Sequence, residues 1–248
     1  MKKIILSIFV MTVCFLLPEI QAQVDSFNDK LPYTKITPIP ADEVFDLTFE
    51  YDCAVGYGEA GIETDGNYIY TTNWNGSEFY KYDLDGTYLG SFTCGSAGLI
   101  RDLAYNGTYF YGSPASTIVY EMDFDAQTVI STFTAPTNCR AIAYNEEEDC
   151  FYANNWFSDI VKFDNAGNNL GSFPVGPVGN NYYGFAFQGE SYCFNDGPFL
   201  WGYAQVGATQ NELIQIELPS GLETGVYFDV GSIIPTNMNI AGGLAIDE

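Results

Sequence analysis

Two arginines, Arg101 and Arg140, are the only ones in this 248-residue chain, and each opens a phrase of the same kind, "RDLAYNGTYFYGS" (101–113) and "RAIAYNEEEDCFYANNW" (140–156). A guanidinium is a permanent cation carrying five donors in a rigid fork. A pair of them facing one cavity would hold a carboxylate, sulfate or phosphate bidentately. The competing reading pairs each arginine with a nearby acid such as Asp102, or uses it to brace a loop. All three tryptophans, Trp74, Trp156 and Trp201, recur at comparable places in the pattern, with the amides Asn73, Asn75 and Asn155 beside the first two. Exposed indoles next to amides suit stacking on sugar rings. Packed indoles would instead fill the space between structural units.

What is missing narrows the chemistry further. The chain has no histidine, which removes the Ser-His-Asp triad, His-ligated metals and an imidazole base. Carboxylate chemistry assisted by calcium stays open, but it needs several acidic or amide groups converging on one cation. "DLDG" at Asp83, "DFDA" at Asp123 and "DNAG" at Asp164 lack the spacing of an EF-hand loop. Repeated Asp and Gly at such places reads first as turn chemistry. No cofactor is called for, with calcium the one ion left open.

These residues must be carried by a repeating scaffold. Aligning "AGIETDGNYIYTTNW" (60–74), the two arginine phrases, "YGFAFQGESYCFND" (183–196) and "GGLAIDE" (242–248) superposes Ile62, Leu103, Ile142, Phe185 and Leu244. A second phrase, "TFEYDC", "GSFTCG", "STFTAP", "GSFPVG" and "VYFDVG", superposes Tyr51, Phe92, Phe133, Phe173 and Phe228 in the same frame. Between the two lie aromatic and β-branched runs separated by Gly, Asn and Asp turns, so each period reads as four strands. Four antiparallel strands in about 40 residues is the signature of a β-propeller blade. The expected fold is all-β: about four complete blades and two partial ones, in a chain expected to be truncated. In that frame both arginines stand two residues before the aligned apolar position, at the rim of the central channel. The tryptophans fall near the connection between the second and third strands, on the same face.

"RDLAYNGTYFYGS" followed by "IVYEMDFDAQTVISTF" resembles the repeats of secreted propeller proteins from Bacteroidetes-type bacteria, which are distantly similar to the NHL and YVTN groups. The resemblance covers about residues 44–248. It implies a propeller, often followed by a carboxy-terminal sorting or adhesion module, and it implies no activity.

The first residues read as an export signal over 1–22: Lys2 and Lys3, an apolar stretch from Ile4 to Leu17, and Ala22 before Gln23. That stretch is too short to span a bilayer. Residues 23–43, with Pro32, Pro38 and Pro40, read as an extended leader and 44–248 as the propeller, incomplete at its carboxy terminus. The formal charge of −24 repels nucleic acid and anionic membranes. Five cysteines follow the signal, Cys53, Cys94, Cys139, Cys150 and Cys193. Their number is odd and their spacing matches no zinc pattern. They read first as small apolar packing groups.

The leading expectation is an exported, non-enzymatic propeller, secreted or at the cell surface, that binds a glycan, peptide or surface partner through its loop face. The alternatives are a carboxylate- and calcium-dependent hydrolase or lyase, and a structural spacer of a longer surface protein. An open aromatic platform favours binding. Convergent channel-facing acids favour an enzyme, and neither feature favours the spacer.

Overall fold

A computed structural model describes residues 53, 58–175, 181–189, 197–206, 210–232 and 242–246. Among the described residues, alternating apolar positions and turn residues produce sixteen strands in four antiparallel sheets, each a meander in chain order. The first blade is β1 (Glu59–Thr64), β2 (Tyr68–Asn73), β3 (Glu78–Asp83) and β4 (Tyr88–Thr93). The second is β5 (Leu103–Tyr105), β6 (Phe110–Gly112), β7 (Ser116–Asp123) and β8 (Thr128–Cys139). The third is β9 (Ala141–Asn145), β10 (Cys150–Asn154), β11 (Ile160–Asp164) and β12 (Asn169–Phe173). The fourth is β13 (Asn181–Gln188), β14 (Phe199–Val206), β15 (Gln210–Glu217) and β16 (Glu223–Asp229), followed by a 3-10 turn at Val230–Ser232. This is a four-bladed arrangement of the propeller type. The expected leader and signal lie outside the described residues, as does Tyr51.

Local chemistry closes the hairpins. Asn106 accepts hydrogen bonds from the Thr108 and Tyr109 amides at 3.0 and 2.8 Å, and Gly107 adopts a φ of 86°. An Asx turn with glycine in the left-handed region is what an Asn-Gly pair supplies at little steric cost. The Asp83, Asp123 and Asp164 carboxylates serve similar turns, accepting from the amides of Thr87, Ala126 and Asn168 at 2.8 Å each.

Ile62, Leu103, Ile142 and Phe185 lie on β1, β5, β9 and β13, the innermost strands, and Phe92, Phe133, Phe173 and Phe228 lie on the outermost. The segment 242–246 occupies a fifth place around the axis, between the fourth blade and the first. The Gly243 amide donates to the Ala60 carbonyl at 2.7 Å. Leu244 packs with Ala186, Trp201 and Leu213 of the fourth blade, while Ala245 packs with Ile62, Ile69 and Tyr80 of the first. Successive side chains of an extended segment point to opposite sides, so one short stretch serves two seams.

The remaining core fills the seams between consecutive blades. Tyr70, Phe79, Phe110 and Phe124 close the first seam, with the Phe110 and Phe124 rings stacked at 4.1 Å. Tyr111, Phe151 and Phe163 close the second, and Tyr152, Phe185 and Leu200 the third. Most of the aromatic content is therefore packing. Cys94, Cys139 and Cys150 are buried thiols in these three seams, where burial pushes their pKa up to about 11, about 12 and about 11.

Candidate functional site

The blade register delivers two rings of residues to the axis. Two positions before the aligned apolar residue stand Ala60, Arg101, Arg140, Tyr183 and Gly242; one position before stand Gly61, Asp102, Ala141, Gly184 and Gly243. The outer ring is the channel mouth and the inner ring its floor.

The floor is closed by close approach of backbones. A Cβ on Gly61 would come within 2.6 Å of the Asp102 Cα, one on Gly184 within 2.5 Å of the Leu244 amide nitrogen, and one on Gly243 would collide with the Ile62 amide. Only glycine permits such contact, and Asp102 alone places a long side chain there. Its carboxylate, fully buried, accepts the Ile142 amide at 2.9 Å and the Phe185 amide at 3.0 Å. One side chain thus pins the inner strands of three blades. Burial pushes the Asp102 carboxyl well above the usual carboxylate range, and the two backbone donors oppose that shift.

At the mouth the arginines and tryptophans form a stack. The Arg101 guanidinium carbon lies 3.9 Å from the centre of the Trp74 ring. That of Arg140 lies 5.3 Å from Trp74, 4.4 Å from Trp156 and 5.5 Å from the Tyr183 ring. Arg101 also donates through Nη1 to the Trp74 carbonyl, and Arg140 Nε donates to Asn155 Oδ1 at 3.3 Å. No carboxylate among the described residues lies within ion-pair distance of either arginine, whereas Lys162 meets Glu148 at 2.6 Å. The reading that pairs the arginines with Asp102 does not hold, because that carboxyl is buried on the axis and turned to the Ile142 and Phe185 amides, outside ion-pair distance of both guanidiniums.

π faces replace acids as the neighbours of these cations. Burial lowers the pKa of both guanidiniums, and the charge of Arg101 lowers that of Arg140 further. Both remain charged. Arg140 is only 8% exposed, yet its Nη1, like Arg101 Nε, is screened from solvent without an acceptor. Buried donors without partners are rare in folded proteins and point to a missing acceptor.

Trp156 is held in an unusual backbone. Its φ is 57°, in the left-handed region that costs a residue with a Cβ roughly 1–2 kcal/mol. Its carbonyl accepts from Asn154 Nδ2 at 2.8 Å and from the Tyr182 amide at 3.3 Å, which fixes that conformation. Trp156 is 39% exposed and Phe157 67% exposed. Strain enforced from outside is characteristic of sites where an orientation is needed.

The other expected residues divide. Asn155 belongs to the stack through Arg140. Asn73 is spent locally, donating to Tyr80 Oη at 2.9 Å and Glu78 Oε2 at 3.1 Å. Trp201 requires a correction of place: it lies within β14, 4% exposed, and donates through Nε1 to Gln188 Oε1 at 2.7 Å. The second strand of that blade runs over Phe199–Val206, so Trp201 falls inside it and not at the connection to the third strand, where the repeat frame places it. Trp201 therefore sits deep in a seam rather than at the strand connection. Tyr183 was not singled out, although counting two residues back from Phe185 leads to it. Among the described residues no group of three or more His, Cys, Asp or Glu side chains is placed to hold a metal ion.

The blades and their closed axis define a β-propeller with a polar, aromatic mouth. No protein-family model matches the chain, and no curated protein does. Among solved structures it is similar to the hydrazine synthase of Kuenenia stuttgartiensis, at 16% identity over 70% of this chain and 49% of that one, with a TM-score of 0.48. It is also similar to the glutaminyl cyclase of Myxococcus xanthus, at 16% identity over 58% of this chain and 66% of that one, with a TM-score of 0.47. The chain thus spans about half the length of the first and 66% of the second. The propeller assignment rests on the blades themselves, and neither likeness carries a functional argument.

Proposed function

We propose that this protein is an exported, non-enzymatic propeller that binds a glycan, peptide or surface partner through the loop face, with the channel mouth as the contact. The observation that supports it is the pair of arginines stacked on Trp74 and Trp156 with no acid among the described residues beside them, in a chain of net charge −24. A stacked guanidinium keeps its faces covered and offers its N–H edge in the plane, the geometry for receiving a partner's acceptor. The closed floor is consistent with a surface that binds rather than a channel that passes a substrate.

Glycan and peptide arrays test the reading. Wild type is expected to retain ligands that the Arg101→Ala/Arg140→Ala and Trp74→Ala/Trp156→Ala variants lose, while melting curves show both variants folded. A parent that binds nothing on either array, or variants that bind as the parent does, would leave the mouth without this role.

A further inference from the structure

Resting on that binding reading, we infer that the ligand is a glycan whose terminal sugar carries one carboxylate, bound end-on at the mouth. Three observations converge on this class. The first is charge. Arg101 and Arg140 keep buried donors without an acceptor, Nε on one and Nη1 on the other, beside two tryptophan rings and no acid among the described residues. Such an arrangement selects an anion, and its planar forks match a carboxylate.

The second is number and direction. The net charge of −24 opposes a polyanion, because each further negative group on the ligand meets the protein's own field beyond the two arginines. The floor is shut by Gly61, Gly184, Gly243 and the Asp102 side chain, so no chain threads the axis. A blind, doubly cationic mouth in an acidic protein takes one charge, at an end.

The third is shape. Trp156, whose ring lies 4.4 Å from the Arg140 guanidinium, is exposed, as is Phe157 next to it in sequence, and Trp156 is fixed there by its left-handed backbone. Across the mouth the equivalent positions are the small residues Ala60 and Gly242. One side of the mouth carries cations and rings, and the other carries no large side chain at these two positions. A pyranose bearing its acid at the ring edge can set the carboxylate on the guanidinium edge while its apolar face lies on an aromatic ring. A flexible peptide terminus brings the acid but no rigid flat face, and would lose more freedom on binding.

Titration of the full chain, followed by tryptophan fluorescence and calorimetry, compares five probes. They are methyl β-D-glucuronide, its methyl ester, methyl β-D-glucoside, polygalacturonate and acetyl-Gly-Phe. The glucuronide is expected to bind, with the ester and the glucoside at least about 10-fold weaker, the scale of one charge-assisted hydrogen bond. Arg101→Lys keeps the charge but loses the fork, and is expected to lower glucuronide affinity about as much without moving the melting temperature. Glucoside binding equal to glucuronide binding would overturn the acidic class while leaving glycan binding in place. Acetyl-Gly-Phe binding as tightly as the glucuronide, or polygalacturonate binding more tightly per sugar, would overturn the terminal acidic sugar. Failure of all five probes, together with blank arrays, would remove the binding reading as well.

Discussion

Arg101 and Asp102 are neighbours in sequence, one basic and one acidic, sit at the same end of the axis and do not pair with each other. Their surroundings treat charge in opposite ways. Asp102 is sealed on the floor, where one carboxyl oxygen accepts the Ile142 and Phe185 amides, groups that belong to the scaffold, and the other has no partner among the described residues. Arg101 and Arg140 lie at the mouth against tryptophan faces and retain unsatisfied donors. A buried carboxyl oxygen that accepts amides from two other blades holds strands together. A guanidinium that lies on ring faces and gives one nitrogen to a loop at the mouth, Nη1 of Arg101 to Trp74 and Nε of Arg140 to Asn155, keeps a further donor unused, and that is the difference between a keystone and a binding group.

The largest expected effect comes from removing the keystone. Asp102→Ala strips two inner-strand amides of their acceptor in a place closed to water, at about 1–3 kcal/mol for each group. A loss of roughly 2–5 kcal/mol in urea unfolding is expected, spread over the second, third and fourth blades. A loss under about 0.5 kcal/mol, the range of an ordinary surface change, would make the floor carboxylate incidental.

At the mouth the expectation reverses. Arg140→Met keeps an unbranched side chain between Trp74 and Trp156 and removes a cation that has no acidic partner among the described residues. Replacing buried charge by an apolar group of similar volume is often neutral or stabilising. Stability is expected to stay within about 1 kcal/mol, or to rise, while binding at the mouth disappears. A loss comparable to that of Asp102→Ala would show that the guanidinium is a brace after all and erase the contrast.

The two regions also differ in their response to pH. A carboxyl whose folded-state pKa lies above its unfolded value, about 3.9 for Asp, makes the folded state bind more protons than the unfolded state in the interval between them. Burial raises Asp102 in this way, so its contribution to stability falls as pH rises from about 4 through the folded value. Urea midpoints of wild type and Asp102→Asn, measured in parallel across that range, isolate the term: the difference between the two curves should slope in wild type's disfavour with rising pH. A flat difference would mean that the backbone donors cancel the burial cost. The arginines keep their charge throughout and contribute no such slope.

Much of this contrast was legible before any coordinates. The spacing of Ile62, Leu103, Ile142 and Phe185 is enough to place Arg101 and Arg140 two residues upstream in equivalent strands, because strand register transmits position faithfully from blade to blade. Trp74 and Trp156 follow from the same count. The frame fails at Trp201, which falls inside β14, while Trp74 and Trp156 come just after β2 and β10; the spacing from β13 to β14 is longer than in the other blades, and periodicity alone does not mark where a strand begins. The role of Asp102 was hidden for another reason. Its partners, the Ile142 and Phe185 amides, are 40 and 83 residues away and belong to the backbone, so no side-chain pattern advertises them. Its glycine counterparts Gly61, Gly184 and Gly243 were the available sign that the axis is too crowded for other side chains.

The smallest expected effect concerns Trp156, where scaffold and site meet in one residue. Its φ of 57° is held by the Asn154 side chain and the Tyr182 amide, both bonded to its carbonyl. Truncation to alanine deletes the ring but keeps the Cβ that makes this conformation unfavourable. Truncation to glycine deletes both. Elsewhere in a blade glycine is the poorer choice, since it gives the unfolded chain more freedom to lose. At position 156 the order should invert, with Trp156→Gly more stable than Trp156→Ala by about 1 kcal/mol. Thermal or urea unfolding of the two variants decides it. If alanine is the more stable, the left-handed backbone is not enforced, and the indole's orientation is a consequence of stacking on Arg140 rather than its cause.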